Sequence, residues 1–78
     1  MWVVYILLCQ DGSLYTGITN NLQKRFNEHK KGKGGRYTRS HPPLRIVYQE
    51  KIITHPEALK REAEIKSWSK KEKLNLCK

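Results

Sequence analysis

The sequence predicts an α+β fold: a small three-stranded antiparallel sheet flanked by helices, in the order β-β-α-β-α-α. Three observations predict it. Two apolar runs flank Asp11-Gly12, a familiar hairpin-turn dipeptide. A later run, "LRIVYQEK" at 44–51, has the β-branched and aromatic content of a strand. Helix-start signals stand at Thr19-Asn20-Asn21, at Thr54-His55-Pro56-Glu57 and at Ser69.

Trp2 to Cys9 is a continuous apolar run, as expected of a strand covered on both faces, although periodicity alone also admits a helix. Ser13 to Ile18 is its hairpin partner. Leu22 to Lys30 carries Leu22 and Phe26 at helical spacing, with Arg25 and His29 on the shoulder of that stripe. "KKGKGGRYTRSHPP", residues 30–43, holds glycines, prolines and five Lys/Arg, and reads as a basic, mobile loop. Thr54 followed three residues later by Glu57, with Pro56 in the first turn, opens a helix expected to run to about Trp68. Ser69 caps a last short helix over Lys70 to Leu76.

Seventy-eight residues make one thin domain with a small core. Sixteen Lys+Arg against seven Asp+Glu give a formal charge of +9, an excess that repels itself and calls for a polyanionic partner, nucleic acid first. A membrane is disfavoured, because the longest apolar run, Val3 to Cys9, falls far short of the ~20 residues of a spanning helix. It does not read as a signal peptide either, since no positive residue precedes it. Cys9 and Cys77 lie at opposite ends without spacing partners, which argues against a zinc knuckle and a disulfide and for a reduced, cytoplasmic setting.

Loop length decides how Tyr5 and Tyr15 are disposed, because strand side chains alternate in direction. With Asp11-Gly12 alone as the loop, the two phenols lie on opposite faces. With Gln10-Asp11-Gly12 and Gly12 left-handed, Cys9 pairs with Ser13, Tyr5 faces Gly17, and both phenols share one face with open space beside Gly17. The sequence permits both, and the three-residue loop is the expected one. It also gathers Val4, Ile6, Leu8, Leu14 and Ile18 on a purely apolar face. The ordinary alternative is that tyrosines are simply good strand residues.

In the helix from Pro56, Glu62 falls about 40° from Ala58, inside the apolar arc with Leu59 and Ile65, while Glu57, Lys60, Arg61 and Glu64 are placed on the far side. An inward carboxylate needs a partner. Either a salt bridge to Arg25 or a lysine supplies it, or Glu62 is a ligand for a hard divalent cation. Arg25 and His29, one turn apart, face the sheet edge and are either solvated or functional. Zinc binding by His29 is not supported, as no Cys or second His has suitable spacing.

"VVY" at 3–5, "YTG" at 15–17, Arg25 eight residues past Gly17, His29 a turn later, and Glu62 in "ALKREAEIK" together resemble the GIY-YIG nuclease domain, closest to its small stand-alone bacterial members. The likeness runs from about Trp2 to Leu76. Val3 and Thr16 stand where the family pattern has glycine and isoleucine. Asn75 is the candidate here for the asparagine that many members carry in the C-terminal helix. The DNA-binding domain of larger relatives is not expected here, so affinity must come from the domain itself.

The resemblance implies a metal-dependent DNA endonuclease with Tyr5, Tyr15, Arg25, His29 and Glu62 as its active site, and Glu62 holding one Mg2+ or Mn2+. The expected substrate is DNA of low sequence specificity, single-stranded or branched forms included, in repair or recombination. Lys30, Lys31, Lys33, Arg36 and Arg39 are expected to track its backbone, with Tyr37 stacking on an unpaired base or serving only as packing. Lys66, Lys70, Lys71 and Lys73 extend that surface or form a solvated helix face. Two rivals stand beside this reading: a nucleic-acid-binding module of the same fold without useful catalysis, and a basic accessory protein of ribosome or RNA.

Overall fold

In the computed structural model, which describes residues 1–77, strands β1 (Trp2–Cys9), β2 (Leu14–Thr19) and β3 (Pro43–Ile52) form one antiparallel sheet in the order β2-β1-β3. Helices α1 (Leu22–Lys30) and α2 (Arg36–Ser40) lie between β2 and β3, and α3 (His55–Lys66) and α4 (Lys70–Leu76) follow. The fold class is as expected. The basic segment, however, is not all loop: five of its residues form α2, which starts at Gly35 with no side-chain cap and seats Thr38 at 2% exposure.

The hairpin adopts the three-residue loop. Gly12 takes φ 86°, the Cys9 amide donates to the Ser13 carbonyl at 2.9 Å, and Tyr5 pairs with Gly17 and Leu7 with Tyr15. A left-handed residue is required at that position, and glycine meets it without steric cost. Both tyrosines therefore share a face. The Gln10 amide donates to the Pro42 carbonyl at 2.8 Å, tying the hairpin to the start of β3. Two register shifts between β1 and β3, at Ile6/Leu7 and Leu8/Cys9, bend the same end of the sheet.

The two sheet faces have different fillings. Val4 and Ile6 on one face pack with Ala58 and Ile65 of α3, all at 0% exposure, with Trp2, Leu14, Ile18, Trp68 and Cys77 around them. Tyr5, Leu7 and Cys9 on the other face are equally buried, beneath His29 of α1 and Thr38 of α2. Cys9 and Cys77 are both free and sit on opposite sides of the sheet.

The helix starts are local events written in the sequence. Asn21, Thr54 and Ser69 each accept from a backbone amide in the first turn of α1, α3 and α4, and Ser69 with Glu72 closes a full capping box. Two positions on α3 depart from the expected helix faces. Leu59 is 45% exposed, and Arg61 turns toward the sheet instead of away. Its guanidinium donates to Glu50 of β3 at 3.1 Å, pairs with Glu64 and lies 5.3 Å from the Trp68 ring, while Tyr48 donates to the same Glu50 at 2.6 Å. A cation can lie along an apolar helix face when a carboxylate on the neighbouring strand receives it.

Candidate active site

The face opposite the α3 core carries a buried polar cluster. Tyr5 and His29, each at 1% exposure, meet with Tyr5 Oη 2.8 Å from His29 Nε2. The other ring nitrogen, Nδ1, lies 2.7 Å from Thr38 Oγ1. The Tyr15 ring sits edge-on to His29 at 5.2 Å and 6.4 Å from the Tyr5 ring. His29 comes from the last turn of α1, so its burial depends on a close approach of the segment that follows. Gly34 provides it. A Cβ there would fall on the His29 ring, and the Gly34 carbonyl accepts from Arg25 Nη2 at 2.6 Å. The open space expected beside Gly17 is filled by Tyr5 itself, since a Cβ at Gly17 would stand 2.5 Å from Tyr5 Oη.

Burial, and then the neighbouring Tyr15 phenol, pushes the Tyr5 hydroxyl up to about 12, against the pull of the Arg25 guanidinium. Burial, followed by the Arg25 charge, pushes the His29 imidazole down to about 4, so it is neutral at pH 7. Arg25 is held charged against its own burial by Tyr5 and Glu28. Four of the five expected residues thus converge, none of them as the solvated pair that Arg25 and His29 could have been.

Glu62 is the fifth. Its side chain is 18% exposed on α3, and its charge is felt at the Tyr5 hydroxyl, raising it slightly. Its ion-pair partner is Lys66 on its own helix, at 3.3 Å, rather than Arg25. Lys66 is therefore engaged rather than free. Asn75 lies on α4 and lines an open groove of about 370 Å³ with Trp68, Glu72 and Leu76.

Lys30, Lys31, Lys33, Arg36, Arg39, Lys70 and Lys71 are all exposed. Tyr37 is exposed at its edge, but its ring is taken: it stacks on His41 at 4.1 Å and against Tyr15 at 5.7 Å. A base could stack on Tyr37 only by displacing His41, whose Nδ1–H also donates to the Tyr37 carbonyl and which lies 3.6 Å from Asp11. Thr38, Gly34 and His41 were not anticipated from the sequence. The Gly34-Gly35 pair was the available signal, because adjacent glycines mark close backbone approach as well as loops.

Among the described residues, no group of three or more His, Cys, Asp or Glu side chains is placed to hold a metal ion. Among the described residues, two carboxylates act on the cluster: Glu28, paired with Arg25 at 3.4 Å, and Glu62, whose charge is felt at Tyr5. That donor set fits a hard cation that keeps several waters and takes substrate oxygens, as magnesium does. No helix among the described residues is long and apolar enough to cross a membrane.

Residues 1–75 match the family model of the GIY-YIG catalytic domain. A UPF0213 protein of Staphylococcus saprophyticus is 49% identical over 73 residues, covering 94% of this chain and 89% of that relative. A UPF0213 protein of Staphylococcus aureus is 48% identical over 75 residues, covering 96% and 92%. The solution NMR structure of a UPF0213 protein from Bacillus halodurans shares 42% identity, with a TM-score of 0.61 over 97% of this chain and 82% of that one.

Proposed function

Because this chain belongs to the GIY-YIG catalytic-domain family, matched over residues 1–75, we propose that it is a divalent-metal-dependent endonuclease. It hydrolyses DNA phosphodiester bonds with low sequence specificity, on single-stranded or branched DNA in repair or recombination, and the chain works as one nuclease domain. The observation that carries this reading is the buried contact of Tyr5 Oη with His29 Nε2 at 2.8 Å, with Tyr15 beside it and Arg25 charged nearby. A neutral imidazole on a buried phenol, next to a permanent cation, is an expensive arrangement for packing alone.

Glu62 would hold one Mg2+ or Mn2+. Its pair with half-exposed Lys66 is a weak surface interaction that a cation can replace. When bound, that ion supplies Lewis-acid stabilisation of the leaving 3′-oxygen. Arg25, forked and always charged, takes a non-bridging phosphate oxygen. Tyr5 orients and deprotonates the attacking water, assisted by His29, and Tyr15 binds the phosphate. Tyr5 is preferred as the base because its hydroxyl touches His29, whereas Tyr15 meets that ring only edge-on. Burial keeps Tyr5 protonated in the free protein, so the Arg25 guanidinium, together with a cation that Glu62 would hold, is what would favour its phenolate. The exposed lysines and arginines of residues 30–39 bind backbone phosphates without reading sequence.

The test is incubation with plasmid, single-stranded and branched DNA, with manganese or magnesium or with chelator, beside Glu62→Ala. Cutting that needs both metal and Glu62 is expected, with salt-sensitive DNA binding nearly unchanged in the variant. Equal activity of Glu62→Ala overturns the metal assignment. The Lys66–Glu62 pair favours one second reading, a DNA-binding module that does not cut, and binding without cleavage of any substrate establishes it.

A further inference from the structure

Resting on that nuclease reading, we infer that Thr38 is a positioning residue: it fixes His29 as the Nε2–H tautomer, so that His29 donates to the Tyr5 oxygen instead of accepting the Tyr5 proton. Three buried groups form a chain, Tyr5 Oη to His29 Nε2 at 2.8 Å and His29 Nδ1 to Thr38 Oγ1 at 2.7 Å. A neutral imidazole has one N–H and one bare nitrogen, so the chain runs in one direction or the other. His29 is neutral, since burial and Arg25 both oppose its charge.

Suppose first that Tyr5 donates to Nε2. Then Nδ1–H donates to Thr38, and the Thr38 hydroxyl hydrogen needs a further acceptor. Thr38 is 2% exposed, and among the described residues its hydroxyl has His29 Nδ1 as its one hydrogen-bond partner. That hydrogen would be sealed in without an acceptor, the costly case. Now let Thr38 donate to Nδ1. Nε2–H donates to Tyr5 Oη, and the hydrogen left over is the one on Tyr5. Tyr5 is itself 1% exposed in the free protein, but its hydroxyl lies beside Arg25 and within the field of Glu62, the place where the nuclease reading seats the phosphate and water that would accept this hydrogen. The second direction places the unsatisfied hydrogen at the reacting end of the chain. α2, with no side-chain cap of its own, is the element that brings this hydroxyl to the imidazole.

The consequence is a change in the role of His29. Its Nε2–H, together with Arg25, stabilises the Tyr5 phenolate oxygen as a donor pair. The Tyr5 proton passes to solvent water, Tyr5 then takes a proton from the attacking water, and His29 keeps its own proton throughout.

Long-range 1H–15N NMR on protein labelled at histidine nitrogen reads this directly, with three histidines to assign. At pH 7 the expected His29 pattern is a protonated, pyrrole-like Nε2 and a bare, pyridine-like Nδ1. The reverse pattern in the wild-type protein overturns the inference, whatever the variants do. Thr38→Ser is expected to keep the pattern and the cleavage rate, while Thr38→Val shifts the pattern toward Nδ1–H and slows cleavage by on the order of 10- to 100-fold. An unchanged pattern in a folded Thr38→Val overturns the role of Thr38. An Nε2–H pattern in a protein that cuts no DNA supports the tautomer assignment and overturns the nuclease reading alone.

Discussion

Thr16 is where the chain departs from the YIG pattern, and the structure gives that departure a measurable cost. The residue is 3% exposed on β2, paired across from Ile6, on the face that packs under α3, so that face is not the purely apolar one expected. Among the described residues its Oγ1 is the one buried side-chain polar atom without a hydrogen-bond partner. Thr16→Val keeps the β-branched shape and removes the unpaired hydroxyl, which relieves a desolvation penalty of roughly 1–3 kcal/mol. A gain of about 1–2 kcal/mol is expected, and a rise in Tm of roughly 4–8 °C per kcal/mol for a domain of this size. Thr16→Ser is the control: it keeps the hydroxyl, loses a buried methyl, and should cost about 1 kcal/mol. Urea and thermal denaturation of the three proteins at one pH decide the matter. Equal or lower stability of Thr16→Val would mean that the hydroxyl is satisfied, and would refute the argument.

Acid stability reports on His29. Its folded-state value is pushed down to about 4, below the value of about 6.5 for a free imidazole, so the unfolded chain binds the proton first. This contribution is complete above about pH 6.5 and is lost as the pH falls toward 4, by on the order of 3 kcal/mol at most. Urea midpoints taken between pH 7.5 and 4.5 should fall with that slope, and a flat profile contradicts a buried neutral imidazole. Gly17→Ala places a Cβ 2.5 Å from Tyr5 Oη and 3.1 Å from Tyr15 Cε2, so it must dislodge Tyr5. A loss of roughly 1–3 kcal/mol is expected in denaturant melts, and unchanged stability would show that Tyr5 does not lie over Gly17.

Much of this was legible in the residues, for local reasons. Gln10-Asp11-Gly12 admits a two- or a three-residue loop, and the three-residue one, expected and found with Gly12 left-handed, is the one that puts Tyr5 and Tyr15 on one face. Asn21, Thr54 and Ser69 announce helix starts because a side-chain oxygen satisfies a first-turn amide whatever the rest of the chain does. The missed features are all tertiary. α2 has no local cap and follows two glycines, and its Thr38 bonds to a histidine nine residues earlier. His29 and Arg61 sit on helix shoulders whose environment is decided by the partner across the gap, Tyr5 in one case and Glu50 in the other. Tyr37 looked free to stack on a base because nothing in the segment revealed that His41 would fold back onto it.

Tyr5 is the group on which the proposed chemistry turns, and Tyr5→Phe removes its oxygen while leaving the ring that fills the space over Gly17. Single-turnover cleavage of a branched or single-stranded DNA in Mn2+ or Mg2+ should fall by at least about 100-fold in this variant, with unchanged DNA affinity at matched salt. Cleavage by Tyr5→Phe at the wild-type rate would contradict the account.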